Sequence, residues 1–273
     1  MSGAVAFVDI DWAGRPIRIE TQWVGREAAR AHTPLLVFLH EGLGSLAMWK
    51  DFPQQLCEAA GCRGLVYSRP GYGRSTPRAD DEAWAPDFMH RQAHEVLPAL
   101  LQALGVDASR QPLWLVGHSD GASIALLCAA RMGGVVAGLI VMAPHIVVEE
   151  VSLTQIRHAR TAYLETDFPK RLARYHDRPD SAFWGWNTIW LDARFRDWSI
   201  ESELAAIACP VLAVQGLDDP YGTMEQIHGI ARRVPQTELL ELGNCGHSPH
   251  LDQADRLIAS ASAFIRQKTG DTP

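Results

Sequence analysis

Short apolar runs alternate along this chain with segments whose apolar positions recur every three or four residues. The runs are strand candidates and the segments amphipathic helices. Val5–Ile10 and Pro16–Trp23 alternate with a period of two around Gly14, which predicts an antiparallel hairpin at a sheet edge. Leu35-Leu36-Val37-Phe38-Leu39 is apolar throughout, as a strand buried on both faces must be. Gly64–Tyr67, Leu113–Val116, Gly138–Met142, Val211–Gln215 and Glu238–Leu242 repeat that pattern. Helices are predicted over Ser45–Ala60, Phe88–Leu104, Ser123–Met132, Met224–Arg233 and Ala254–Lys268. The alternation predicts an α/β fold with a mostly parallel, doubly wound, eight-stranded sheet.

Between Pro144 and Ala208 no strand-like run occurs, only short helical patterns and the aromatic patch Phe183-Trp184-Gly185-Trp186-Asn187-Thr188-Ile189-Trp190. The segment is too long for a plain connection between strands. It predicts a helical cap over 145–208, inserted into a core made of 1–144 and 209–273. The tryptophans fit ordinary packing and the wall of an apolar or aromatic substrate pocket equally well.

Composition narrows the classes. A chain of 273 residues suits one large domain with an insertion, and 47% hydrophobic with 21% charged residues is ordinary for a globular protein. A net charge of −7 without a Lys/Arg run argues against a nucleic-acid partner. No basic leader and no apolar stretch of bilayer length is evident, so the expectation is a cytoplasmic protein that does not span a membrane. Five irregularly spaced cysteines point to reduced thiols. The residues after Lys268 are expected to form a frayed tail. Nothing in the sequence sets an oligomeric state.

The chemistry starts at Leu115-Val116-Gly117-His118-Ser119-Asp120-Gly121-Ala122-Ser123. Gly-x-Ser-x-Gly is a weak signal alone. Here an apolar strand precedes it and a helix follows, the setting in which a strained turn presents a serine to a carbonyl carbon. Such a serine needs a base, and the base an orienting acid. Val211–Gln215 leads into Gly216-Leu217-Asp218-Asp219, offering two aspartates, with Glu149 and Glu150 as distant alternatives. Leu239–Leu242 leads into Gly243-Asn244-Cys245-Gly246-His247-Ser248-Pro249-His250. His247 is the best base and His250 the fallback. Leu39-His40-Glu41-Gly42-Leu43-Gly44 follows the third strand and can turn backbone N–H groups toward an oxyanion, with the N–H of Asp120 as a second donor. His247 and His250 could share a metal ion, but no third ligand is evident, so no metal is expected. His118 and Cys245 read as packing residues, His40 as a structural partner of the loop after the third strand, and His90 and His94 as surface or core residues of one helix.

Together these motifs resemble the α/β-hydrolase superfamily, from about Pro34 to Phe264. His40-Glu41-Gly42-Leu43-Gly44 is similar to its His-Gly-Gly-Pro-Gly oxyanion loop, and Tyr67-Ser68-Arg69-Pro70-Gly71-Tyr72-Gly73-Arg74-Ser75 to its Asp-x-Arg-Gly-x-Gly-x-Ser segment. The resemblance implies a Ser119, His247, Asp219 triad, because the family's acid falls three residues after the glycine. It also implies Gly42 and Asp120 as backbone oxyanion donors. Glu41 stands where the family has glycine, and Leu43 where proline is common. So close to an oxyanion, Glu41 is expected to turn away or to bind substrate.

The expected function is a serine hydrolase cleaving a small carboxylic ester through an acyl-enzyme, without a cofactor. Glu41, Leu43, Asp120, His145, Trp184 and Trp186 are the candidate substrate-binding residues. Asp120 is either a helix-start acid favoured by the dipole or a partner for a substrate amine. The Ser-Asp-Gly elbow resembles that of the biphenyl-hydrolase-like branch, and the oxyanion loop is similar in style to that of prolyl iminopeptidases. The partner is therefore a small ester, with an amine-bearing or an aromatic group as the open choices. Alternatives are an aminopeptidase or amidase, a C–C bond or thioester hydrolase, and, from another class, a ligand-binding protein on a hydrolase scaffold.

Overall fold

The computed structural model describes residues 3–25 and 33–270. Its strands are β1 Val5–Trp12, β2 Arg15–Gly25, β3 Leu35–Leu39, β4 Arg63–Tyr67, β5 Leu113–His118, β6 Val136–Met142, β7 Val211–Gly216 and β8 Thr237–Leu242. They form one eight-stranded sheet in the order β1-β2-β4-β3-β5-β6-β7-β8. The β1–β2 and β2–β4 pairs are antiparallel and the remaining pairs parallel. The predicted hairpin closes at Ala13 and Gly14, both with positive φ, 54° and 74°.

Successive side chains of β3 and β5 enter opposite cores. Leu35, Val37, Leu39, Leu113 and Leu115 pack on one face of the sheet, and Leu36, Phe38, Trp114 and Val116 on the other. Burial on both faces explains why these strands read as unbroken apolar runs. The helix Asp120–Met132 behind β5 is buried from Asp120 through Ala129, consistent with apolar residues all round it.

Two predicted helices are interrupted. Ser45–Ala60 divides into a 3₁₀ turn, Leu46–Trp49, and a helix, Phe52–Ala60, with Lys50 at φ 53° between them. Pro53 lacks an N–H and suits the first turn of a new helix, not the middle of a longer one. Phe88–Leu104 runs as Phe88–Arg91, a π turn Gln92–Val96, and Leu97–Ala103. The wider turn precedes Pro98, whose ring would crowd the carbonyl four residues back in a regular helix. The final helix, Ala254–Thr269, ends on Gly270 at φ 76°, and residues 271–273 of the expected tail lie outside the described residues.

Between β6 and β7 the chain forms helices Glu150–Glu165, Phe168–Leu172, Pro179–Trp190 and Glu201–Leu204, with a 3₁₀ turn Ala193–Phe195. One isolated bridge, Val147 to Ser199, is the β-pairing found in this stretch. Trp190 and Trp186 reach from it to the carboxyl ends of the strands, where they share a cavity with Ser119. All five cysteines are buried. Among the described residues no helix is long and apolar enough to cross a membrane.

Candidate active site

Ser119 occupies the one-residue turn between β5 and the helix Asp120–Met132, at φ 53° and ψ −121°. A non-glycine residue rarely adopts such a backbone, and its persistence marks a functional constraint. Two glycines make the turn possible. A side chain at Gly121 would meet the carbonyl of Leu39, and one at Gly117 would meet the backbone of Gly121 and Ala122. The helix is thereby held against β3 and β5, and its first N–H groups, that of Asp120 foremost, have no intrahelical acceptor.

Three strand ends converge on the serine. Ser119 Oγ lies 3.0 Å from His247 Nε2, and His247 Nδ1 lies 2.9 Å from both oxygens of Asp219. The Asp219 carboxylate also accepts from the Tyr221 N–H at 2.8 Å and the Gln215 amide at 3.0 Å. Burial works to raise its pKa, but the His247 hydrogen bond, the His247 charge and the Tyr221 N–H prevail and hold it below the ordinary carboxyl range. Asp218 is exposed and takes no part in this relay. Glu149 accepts from Thr223 and Gln226, and Glu150 pairs with Arg157 and Arg196, so neither alternative acid reaches the histidine. His250 is packed against Trp49 and Phe52, with ring centroids 4.9 and 5.7 Å away. Cys245 is buried, which pushes its thiol up to about 11 and keeps it inert.

The loop after β3 is pinned by one carbonyl. Glu41 O accepts from Gly44 N at 3.0 Å, Arg69 Nη2 at 2.8 Å and His40 Nδ1 at 2.7 Å. Because a trans peptide is planar, fixing that carbonyl on one side aims the Gly42 N–H to the other. Gly42, Leu43, Ser119 and Asp120 share the same cavity wall. His40 therefore carries its proton on Nδ1, and its Nε2 accepts from the Arg69 N–H at 2.9 Å. Burial above all keeps it neutral, well below the usual histidine range. The Glu41 side chain folds back over Gly44 toward His118.

The cavity measures about 120 Å³ and is walled by Leu43, Ile156, Trp186, Trp190 and Tyr221 around Ser119, His145 and His247. Trp184, the other tryptophan among the candidate substrate-binding residues, does not line the cavity but packs among Tyr163, Phe183 and the Arg160 guanidinium. Positions 184 and 186 are about 200° apart on a helix, whereas 186 and 190 share a face. Trp190 is therefore the second wall tryptophan. Its Nε1 donates to Asp120 Oδ1 at 3.2 Å, while Asp120 Oδ2 is buried with no partner. Burial raises the Asp120 carboxyl to about 6, against the opposing charge of Arg69. Tyr221 lies tilted against His247 with centroids 4.7 Å apart. The helical spacing of the tryptophans could have found Trp190, and proximity to Asp219 could have suggested Tyr221. Ile156 carries no such signal.

Among the described residues no three ligating side chains are grouped to hold a metal ion. Side chains from the ends of β3, β5, β6, β7 and β8 thus gather outside the carboxyl edge of the sheet, where open α/β sheets bind their ligands. The family model described as "Alpha/beta hydrolase family" matches residues 36–260, and the chain belongs to that family. It is 35% identical over 68 residues to rhodomycin D methylesterase DauP of Streptomyces sp. (strain C5), covering 25% of this chain and 23% of that one. The match thus spans less than a quarter of that relative's length. Over 267 residues it is 23% identical to the mouse (Mus musculus) sn-1-specific diacylglycerol lipase ABHD11, covering 86% of this chain and 82% of that one. Proline iminopeptidase of Mycobacterium smegmatis superposes with a TM-score of 0.74 at 17% identity, covering 97% and 99% of the two chains.

Proposed function

We propose that the protein is a serine hydrolase that cleaves a small carboxylic ester through an acyl-enzyme, with residues 1–144 and 209–273 as the catalytic core and 145–208 as its cap. The unbroken hydrogen-bond relay from Asp219 through His247 to Ser119 carries this reading. His247 takes the Ser119 proton as Oγ attacks the ester carbonyl, and then returns it to the departing alcohol. Asp219 holds the imidazole tautomer with Nδ1–H toward itself. The N–H groups of Gly42 and Asp120 receive the oxyanion. Water, activated by His247, then releases the acid. No cofactor enters any step.

The cavity limits the substrate. At about 120 Å³ it is close to the ~150 Å³ dry cavity that accommodates benzene, which suits an ester with one compact side, about the size of a six-membered ring. The names methylesterase and lipase among the relatives support ester over amide chemistry. A second reading, hydrolysis of an aminoacyl ester or amide, is favoured by the unpartnered Asp120 Oδ2 in the cavity wall, which could meet an amine. A fluorophosphonate probe should label the wild type and not Ser119→Ala; equal labelling of both would sink the proposal. p-Nitrophenyl esters, aminoacyl anilides and acyl thioesters then separate the ester reading from its relatives.

A further inference from the structure

His145 is brought to Ser119 by a strained turn. β6 ends at Met142, and Ala143 follows at φ 46°, a left-handed value that a residue with a side chain seldom takes. Pro144 comes next, and His145 is then clamped to the nucleophile's own helix. Ser123 Oγ donates to the His145 carbonyl at 2.6 Å and accepts from its N–H at 3.1 Å. The ring rests edge-on against Trp190, with centroids 4.9 Å apart, and the residue is only 3% exposed. Its Nε2 ends 3.4 Å from Ser119 Oγ, while Nδ1 is buried with no partner.

The proton positions follow from the neighbours. His247 Nδ1–H donates to Asp219, so His247 Nε2 is an acceptor and takes the Ser119 hydroxyl proton. Ser119 Oγ has lone pairs left and no second proton. His145 Nε2 must then be the donor. Burial, reinforced by the nearby His247, lowers the His145 pKa to about 3, so the ring stays neutral and carries one proton across the working pH range. It is a second imidazole on the reacting oxygen, and its Nε2 donates there where the Nε2 of His247 accepts.

We infer that His145 is a further catalytic residue, whose Nε2–H hydrogen-bonds the Ser119 oxygen and stabilises the negative charge gathering there as the acyl-enzyme ester breaks. The inference rests on the acyl-enzyme reading. In deacylation, His247 takes a proton from water and the hydroxide adds to the acyl carbon. The C–Oγ bond then breaks, its electron pair returns to Oγ, and His247 delivers the proton there. Before that step Oγ is an ester oxygen, a poor acceptor; during it Oγ approaches an alkoxide, a strong one. A donor fixed on Oγ therefore binds the transition state more tightly than the ground state, which accelerates this step. In acylation the ground-state hydroxyl is already a good acceptor, so the same bond assists less.

The test separates the two half-reactions. Burst and steady-state phases with p-nitrophenyl acetate, and the acyl-enzyme mass of quenched samples, are measured for wild type, His145→Leu, His145→Gln and Ser119→Ala. Thermal melts and fluorophosphonate labelling rates report an intact fold and nucleophile. His145→Leu should deacylate about tenfold more slowly, the loss of one hydrogen bond, while its burst rate falls far less and acyl-enzyme accumulates. His145→Gln, which retains an N–H donor, should recover most of the loss. If leucine does not fold, His145→Phe, which keeps the ring against Trp190, takes its place. Equal slowing of both phases, or unchanged deacylation, would overturn the inference and leave the nucleophile standing. A wild type that neither labels nor acylates overturns the acyl-enzyme reading itself.

Discussion

Glu41 Oε2 lies 3.4 Å from His118 Nδ1, and the other nitrogen of His118 reaches the backbone carbonyl of His247 at 2.6 Å. The carboxylate that departs from the family pattern thus reaches His118 from a residue that lines the cavity, and it ties the loop of the proposed oxyanion donor to the turn carrying His247. The carbonyl can only accept, so His118 carries a proton on Nε2. Its Nδ1 faces the Glu41 carboxylate. Burial tends to raise the Glu41 pKa, yet the hydrogen bond and charge of His118 overcome it and hold Glu41 well below the usual carboxylate range. Glu41→Gln should therefore lose about 2 kcal/mol in urea unfolding at pH 7, with kcat falling several-fold as the His247 turn loosens. The sign follows from a depressed pKa. The Glu41 contribution is present above the unfolded value near 4.3 and is lost as pH falls below it, so the variant and the wild type should converge in acid.

Gly42 carries a steric requirement besides its N–H. A side chain there would run into the Trp186 indole. Gly42→Ala should raise KM for esters with a bulky acyl group and destabilise the fold by about 1–3 kcal/mol, the usual range for overpacking. Trp186 can be shortened, so the double variant with Trp186→Leu should be less destabilised than the two single effects summed. Additive losses in a double-mutant cycle would mean that the two residues do not meet in solution.

Arg69 is fully buried, lies over the Tyr72 ring with 4.6 Å to its centroid, and donates from Nη2 to the Glu41 carbonyl. A cation on that carbonyl both orients and polarises the peptide whose N–H is the proposed oxyanion donor. Arg69→Met should lower kcat about tenfold, a fraction of the ~10²–10³ that follows loss of a whole oxyanion donor, with little change in KM. A boronic acid that mimics the tetrahedral intermediate should lose affinity by the same factor, whereas a substrate-like ketone should not. Equal losses for both would assign Arg69 to ground-state packing.

The sheet was legible because burial on both faces leaves a continuous apolar run. All eight strands were predicted within two residues of their observed ends, and β3 at both ends. Ser119, Asp219 and His247 were legible for a related reason: each follows such a run, so knowing the strands places all three at one edge. The walls of the cavity were less so. They are set by which face of a cap helix turns inward, and the cap has no sheet to fix its register, which is why Trp190 and not the candidate Trp184 joins Trp186 in the wall. The sequence marks His118 as packing and His145 only as a substrate contact. Their hydrogen bonds to the His247 carbonyl and to Ser119 Oγ join positions 129 and 26 residues apart, and no local pattern encodes them.

Asp120 gives a dependence on pH that one substitution can isolate. It is 1% exposed, and burial places its carboxyl at about 6 despite Arg69 nearby and the Trp190 N–H. The folded pKa therefore lies above the unfolded value near 3.9, so the carboxyl's contribution to stability is fully present below pH 4 and is lost as pH rises through 6. Over that interval, at 1.36 kcal/mol per pH unit, the loss amounts to about 3 kcal/mol. Asp120→Asn cannot ionise, and its amide oxygen still accepts from Trp190. The stability difference between variant and wild type, from urea midpoints at pH 4, 5, 6 and 8, should move in the variant's favour by about that amount and then level off. Using the difference matters, because His145 and His250, both lowered to about 3 by burial, impose the opposite trend on each protein and cancel. A flat difference would mean that the carboxyl ionises normally, already paired. In the same variant, selective loss of rate on an aminoacyl ester relative to its des-amino analogue would identify Oδ2 as an amine partner; parallel rates on both would leave Asp120 to its backbone N–H and its bond to Trp190.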